Sequence, residues 1–135
     1  MDERHVVTCF LEHNGQIMIL RRSERVGTYR SKWAGVSGYI EAGTTPLQQA
    51  LTELEEEVGL GEDDVELVQE GKPLEVVDSE LGRKWIVHPF RFRVARPERI
   101  KIDWEHTEAK WIDPEDIGRH ETVPNLCETW QRVAL

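Results

Sequence analysis

Residues 45–60 specify their own structure more tightly than any other stretch of this chain. Thr45 suits an N-cap, Pro46 suits the first helical position, and Gln48 completes a Thr-x-x-Gln capping box. Gly59 stands where a C-cap would end the helix. Between them Leu47, Leu51, Leu54 and Val58 recur at i, i+4, i+7 and i+11, which makes one apolar stripe. At roughly 100° per residue, Glu53, Glu56 and Glu57 centre about 130° away from that stripe. Glu55 points elsewhere. The helix is therefore expected to pack on a core while presenting three acids together. Their i, i+3, i+4 spacing makes them neighbours, and each like-charged pair costs a few tenths of a kcal/mol. Such a cluster suits a hard divalent cation, which takes oxygen ligands. A Glu-rich helix taken alone is also an ordinary solvated face; Gly38, fifteen residues before Glu53, weighs against that reading.

Length and charge bound the remaining choices. A chain of 135 residues is expected to form one domain spanning 1–135. Its net charge of −9, from 26 acids against 17 bases, argues against general nucleic-acid binding, which needs a basic footprint. No run of about 18 apolar residues exists, so no membrane span is expected. Met1 to His5 lacks an apolar signal region, and a cytoplasmic location follows as the expectation. Cys9 and Cys127 have no metal-ligand spacing and read as free thiols.

Along the chain, Val6–Leu11 is apolar and β-prone, Asn14-Gly15 is a hairpin signal, and Ile17–Leu20 makes the return strand. A polar loop over 21–32 carries Arg21, Arg22, Arg25, Arg30 and Lys32. Trp33–Ile40 holds a short strand punctuated by glycine. Val65–Val68, Leu74–Val77, Trp85–Val94 and Ala109–Ile112 read as further strands. Pro89 lacks a ladder donor, so an edge or bulge is expected within the third of these. Pro114 starts a helical turn, and Asn125–Val133 fits a C-terminal helix. This order implies an α/β fold, a mixed sheet flanked by helices.

The spacing resembles the box of the Nudix hydrolases, Gly-x5-Glu-x7-Arg-Glu-U-x-Glu-Glu-x-Gly-U, where U is bulky and apolar. Gly38, Glu53, Leu54, Glu56, Glu57, Gly59 and Leu60 match it, whereas Thr44 and Thr52 stand where the box has its first glutamate and its arginine. The hairpin ending Leu20-Arg21-Arg22, Trp33–Gly38, Glu105–Trp111 and Pro114–Ile117 also resemble that family, over essentially the whole chain. Val6–Phe10, Arg22–Arg30 and Trp33–Tyr39 look like one archaeal subgroup that is sometimes fused to proteins related to translation initiation factor 2B. An identity borrowed from that fusion is not expected to carry over.

The resemblance implies an α/β/α sandwich and hydrolysis of a nucleoside diphosphate linked to another group, with Mg2+ or Mn2+ as cofactor. It implies Glu56, Glu57 and the Gly38 carbonyl as metal ligands, and Glu53 as ligand or general base. A further acid from the late loop is expected; Glu105 is the candidate and Glu108 the fallback. Arg21 and Arg30 are candidates for gripping substrate phosphates, because arginine binds them bidentately; a surface loop without that role is the alternative. Trp33 and Tyr39 are candidates for stacking on a base, with packing as the alternative. Trp85 and Trp104 are assigned to packing, and none of the five histidines shows ligand spacing. With Thr44 and Thr52 in place of an acid and a base, looser orientation and slower turnover are expected. A Nudix-fold module that binds a nucleotide or a protein without turnover also stands. Dimers are common among similar folds, so a homodimer stays open.

Overall fold

The computed structural model describes residues 1–135. Its strands are β1 (Asp2–His13), β2 (Gln16–Arg22), β3 (Trp33–Ala34), β4 (Val36–Tyr39), β5 (Val65–Glu70), β6 (Leu74–Asp78), β7 (Arg83–Val94) and β8 (His106–Ile112). Two α-helices, α1 (Pro46–Val58) and α2 (Leu126–Gln131), join three short 3-10 turns at Glu62–Asp64, Pro97–Arg99 and Pro114–Arg119.

The spine is a parallel pairing of β1 with β7, running from Asp2↔Arg83 to Glu12↔Arg93. Outside β1 lie β2 and β4, both antiparallel; outside β7 lie β5 and β6, also antiparallel. β2 in turn carries β3 and β8. Side chains of β1 alternate between faces. Val7, Cys9 and Leu11 meet Ala50, Leu54 and Val58 of α1. Phe10 on the opposite face meets Ile17, Ile19, Ile117 and Leu126, beneath α2 and the last 3-10 turn. Cover on both faces explains why this strand reads as a continuous apolar run rather than an alternating one. The expected mixed sheet between helices is what forms.

Local signals decide several details. Asn14 (φ 51°) and Gly15 (φ 78°) form the tight hairpin turn between β1 and β2, with both dihedrals positive as primed turns require. At α1 the Thr45 hydroxyl accepts from Gln48 N at 3.1 Å, and Gln48 Oε1 accepts from Thr45 N at 3.0 Å. Gly59, left-handed at φ 73°, closes the helix by donating its N–H to Glu55 O and Leu54 O.

Some expectations shift. β7 is central, not an edge, and it runs unbroken through Pro89. The irregularity falls on its neighbours instead. β5 pairs up to Phe90 and β6 begins at Val87, and Gly71–Pro73 crosses the gap opposite His88 and Pro89. Gly71 N donates to Pro89 O, so the side of Pro89 that lacks an N–H faces that gap. The last strand starts at His106 rather than Ala109, the stretch 33–40 divides into two strands, and the C-terminal helix is shorter than 125–133. No helix is long and apolar enough to cross a membrane.

Because the box at Thr45 satisfies two end groups of α1, Thr45→Ala is expected to destabilise the fold by about 1 kcal/mol, read as a lower urea midpoint at constant slope. An unchanged midpoint would show that the cap carries no weight.

Candidate active site

The register of β4 against α1 sets the site. Gly38 lies near the end of β4 and packs directly on the helix; a Cβ there would overlap the Glu53 carboxyl. Glu56, one turn on, is exposed and lines the same cleft. Glu57 lies behind them, buried but within reach of the Glu53 carboxyl. The loop over 101–106 crosses the C-terminal end of α1, with Lys101 N donating to Val58 O at 2.9 Å and Asp103 N to Glu57 O at 3.1 Å. That crossing lays His106 over Glu57: Nε2 stands 3.6 Å from Glu57 Oε1, and Nδ1 stands 3.3 Å from Asp103 Oδ1. Glu57 is only 2% exposed, and its Oε2 has no hydrogen-bond partner. The expectation of three acids on an open face is therefore corrected. The stripe marks which side meets the sheet, but it carries no information about a loop arriving from residues 101–106.

Burial pushes the Glu57 carboxyl up to about 11, reinforced by Glu53 and then by Glu105 and Asp103. Glu105 is raised as well, by burial first and then by Asp103 and Glu53. Burial lowers His106, so the imidazole beside Glu57 is neutral at pH 7. Burial also lowers Arg22, against the pull of Glu105 and Glu57. The site thus holds an excess of acid over local base.

These groups border a cleft of about 470 Å3. Gly38, Glu53, Glu56 and Glu105 line its acidic end, with Arg22 and Arg25 above. Its floor is apolar, from Val6, Val76 and Val87 of the sheet. Aromatic rings line it as well. Tyr39 stacks on Trp85 with centroids 6.0 Å apart. Trp85 Nε1 donates to Tyr29 Oη at 2.9 Å, and that hydroxyl donates to Asp78 Oδ2 at 2.6 Å. Trp104 stands over half exposed at the rim, with the Arg25 guanidinium 5.5 Å from its ring.

The candidates from sequence separate accordingly. Gly38, Glu53, Glu56, Glu105 and Tyr39 share the cleft, and Glu57 lies buried behind its acidic end. Arg21, Arg30 and Trp33 do not line it. Arg21 pairs with Glu108 at 3.3 Å, Arg30 donates to Val26 O at 2.9 Å, and Trp33 is buried against His120 and Lys110. The pairing with Arg21 also removes Glu108 as the late acid. Sequence reasoning singled out Arg21 and Arg30 from a basic cluster whose cleft-lining members are Arg22 and Arg25, and it passed over Tyr29, Gln49, Trp85 and His106. For Arg22 the strand period held the signal: neighbours on β2 point to opposite faces, so Arg21 and Arg22 cannot both face the cleft.

The donor set suits a hard divalent ion. Glu53, Glu56, Glu57, Glu105 and the Gly38 carbonyl all offer oxygen ligands, and Glu57 Oε2 is buried without a partner. Side chains as they stand do not close on one point, since no three His, Cys, Asp or Glu groups converge as a ligand set.

A mixed sheet between two helical layers, with a glycine turn delivering a helix of acids to a cleft, defines the class. A family model described as the NUDIX domain matches residues 1–129, and the chain belongs to that family. Solved structures agree on the fold. A MutT protein from Methanosarcina mazei is similar at a TM-score of 0.81 and 22% identity, covering 98% of this chain and 94% of that one. The E. coli dihydroneopterin triphosphate pyrophosphohydrolase is similar at 0.79 and 18% identity, covering 99% of each chain. A C. elegans Ap4A hydrolase is similar at 0.76 and 15% identity, covering 99% of this chain and 96% of that one.

A carboxyl whose folded value exceeds its unfolded one favours folding fully below the unfolded value, here 4.5, and that contribution is lost as pH climbs towards about 11. In a chelating buffer, Glu57→Gln is therefore expected to melt above the parent, by a margin that widens from about pH 5 to about pH 9. Equal melting across that window would show that Glu57 is not held as the acid.

Proposed function

We propose that this protein is a divalent-metal-dependent pyrophosphohydrolase of the Nudix family, acting on a nucleoside diphosphate linked to another group. The observation that carries the reading is the mixed lining of one cleft: carboxylates on α1 and the late loop beside the Gly38 turn, a stacked Tyr39–Trp85 pair, and apolar side chains of the sheet. An aromatic wall takes a flat base through its π face, and an acidic end takes a diphosphate only with cations between the two charges.

Glu53, Glu56, Glu57, Glu105 and the Gly38 carbonyl would hold Mg2+ or Mn2+. When bound, such ions neutralise phosphoryl oxygens and make a water nucleophilic near neutral pH. The rest falls to the chain. Arg22 and Arg25 sit across from the acids, where they meet phosphate oxygens that the acids repel. Glu53, next to Gly38 and open to the cleft, is the general base of this reading. Glu57, shielded from water, would release its proton to solvent only as a cation took the proton's place, and would then hold that cation from the buried side. Tyr39 and Trp85 would hold the base of the substrate, which keeps the linkage near Glu53. A cytoplasmic location and a homodimer belong to the same proposal, on likeness of fold, and sedimentation of the purified chain tests the second.

Thr44 and Thr52 favour a second reading, a module that binds a nucleotide and does not turn it over. Assay of phosphate-product release from a panel of nucleoside diphosphate compounds, with and without Mg2+ or Mn2+, separates the two. Turnover that needs the metal, and that falls on the order of a hundredfold or more in Glu56→Gln, supports the enzyme. Tight binding with no turnover in either metal supports the module.

Truncating the aromatic end checks the pose independently. Tyr39→Ala is expected to raise KM about tenfold while leaving kcat within a few-fold, since stacking is worth about 1–3 kcal/mol per base. An equal fall in kcat with no change in KM would place the ring away from the substrate.

A further inference from the structure

The buried face of α1 contains one neutral polar side chain. Gln49 is 3% exposed, among Ala50, Leu54 and Val58. A buried amide costs about 1–3 kcal/mol unless its groups are bonded, and an alanine or leucine would fill such a position without that cost. Both ends of Gln49 are used. Its Oε1 accepts from Glu41 N at 3.1 Å, and its Nε2 donates to Glu53 Oε1 at 2.9 Å. The orientation of the amide is dictated by its partners. A backbone N–H only donates and a carboxylate only accepts, so the oxygen faces Glu41 and the nitrogen faces Glu53.

Three features make this contact more than packing. Gln49 and Glu53 are one helical turn apart, so the bond fixes which way the Glu53 carboxyl faces in the cleft it lines. Glu41 follows β4 and Gly38, so the same amide ties the glycine turn to α1 from inside the fold. Beside Gly38, with space for no Cβ, Glu53 is enclosed on its other side. No cationic side chain forms an ion pair with Glu53 within 4 Å; the groups beside it are neutral or acidic, the Gln49 amide that donates to it and the buried Glu57 carboxyl.

We infer that Gln49 is the positioning residue of the acidic cluster, bridging the Gly38 turn and Glu53 so that the carboxylate meets an incoming divalent cation already aimed. The effect on turnover rests on the hydrolase reading above; the effect on Glu53 does not. A neutral amide also suits this place better than a base. It orients the carboxylate without cancelling its charge, so the cluster keeps its full attraction for a cation.

The test uses Gln49→Met, which keeps length and burial but removes both bonds, with crystal structures of the metal-free parent and variant and with Mn2+ titration. The expected result is a Glu53 carboxyl displaced from the Gly38 turn, Mn2+ binding weakened about ten- to a hundredfold, and kcat lowered by a similar factor with KM little changed. If Gln49→Met does not fold, Gln49→Ala takes its place, since it suits a helix interior and likewise removes both bonds. Glu53 unmoved and Mn2+ affinity within twofold of the parent would overturn the inference while leaving the hydrolase reading intact. A parent that binds no Mn2+ and turns over no diphosphate, with Glu53 nevertheless displaced in the variant, would sink the hydrolase reading and leave Gln49 as the residue that aims Glu53.

Discussion

Repulsion among carboxylates, resisted by apolar packing, is the tension around which this molecule is arranged. Burial, helped by the neighbouring acids Glu53 and Asp103, raises Glu57 and Glu105, and Arg22, a cation beside them, is itself partly desolvated. Left alone, the helix bearing the acids would shift to separate them. It does not, because Ala50, Leu54 and Val58 are fully buried against β1 and β7. Leu54 and Val58 each contribute about 1.5–3 kcal/mol on burial, whereas each like-charged helical pair costs a few tenths. Packing wins by a wide margin, and the charges stay where the sheet puts them.

Much of this is legible in the amino-acid order, and the reason is locality. Thr45, Pro46, Gln48 and Gly59 act on backbone within one turn of themselves, so the bounds of α1 need no knowledge of the rest of the chain. Asn14-Gly15 does the same for the first hairpin. Gly38 and Glu53 come together because a turn and a capped helix leave few ways to connect 38 to 53. What is not legible depends on segments distant in sequence. Glu57 reads as surface until the loop over 101–106 arrives to cover it. Arg21 and Arg22 read alike until the register of β2 against β8 sends one to Glu108 and the other to the cleft. Trp85 reads as packing, and it packs, yet the ring it packs on is at the cleft wall. Gln49 hid for another reason. Its neighbour Gln48 explained itself as half of a capping box, and a second glutamine beside it looked like more of the same.

The loop over 23–31 shows how the aromatic end is held. Tyr29 sits at φ 50°, a left-handed conformation that non-glycine residues seldom adopt and that costs roughly 1–2 kcal/mol. Its hydroxyl is fixed by Trp85 and Asp78 together, and Asp78 also accepts from Glu80 N and Leu81 N. Surroundings that determine a side chain this fully can retain a strained backbone. One phenol thereby ties the arginine-bearing loop to the hairpin between β6 and β7, and the two walls of the cleft keep a set separation.

The parallel ladder between β1 and β7 has a consequence for how the chain reaches this state. Val6 finds Val87, a partner about 80 residues later, and loop-closure entropy must be met before that pairing returns anything. The first hairpin and the capped helix can form early from neighbouring residues, but the central seam waits for most of the polypeptide. During synthesis the strand that becomes the middle of the sheet therefore leaves the ribosome with one edge bare and both faces greasy. An unguarded edge of this kind invites pairing with another chain, so the protein is most vulnerable to self-association before its seventh strand is made.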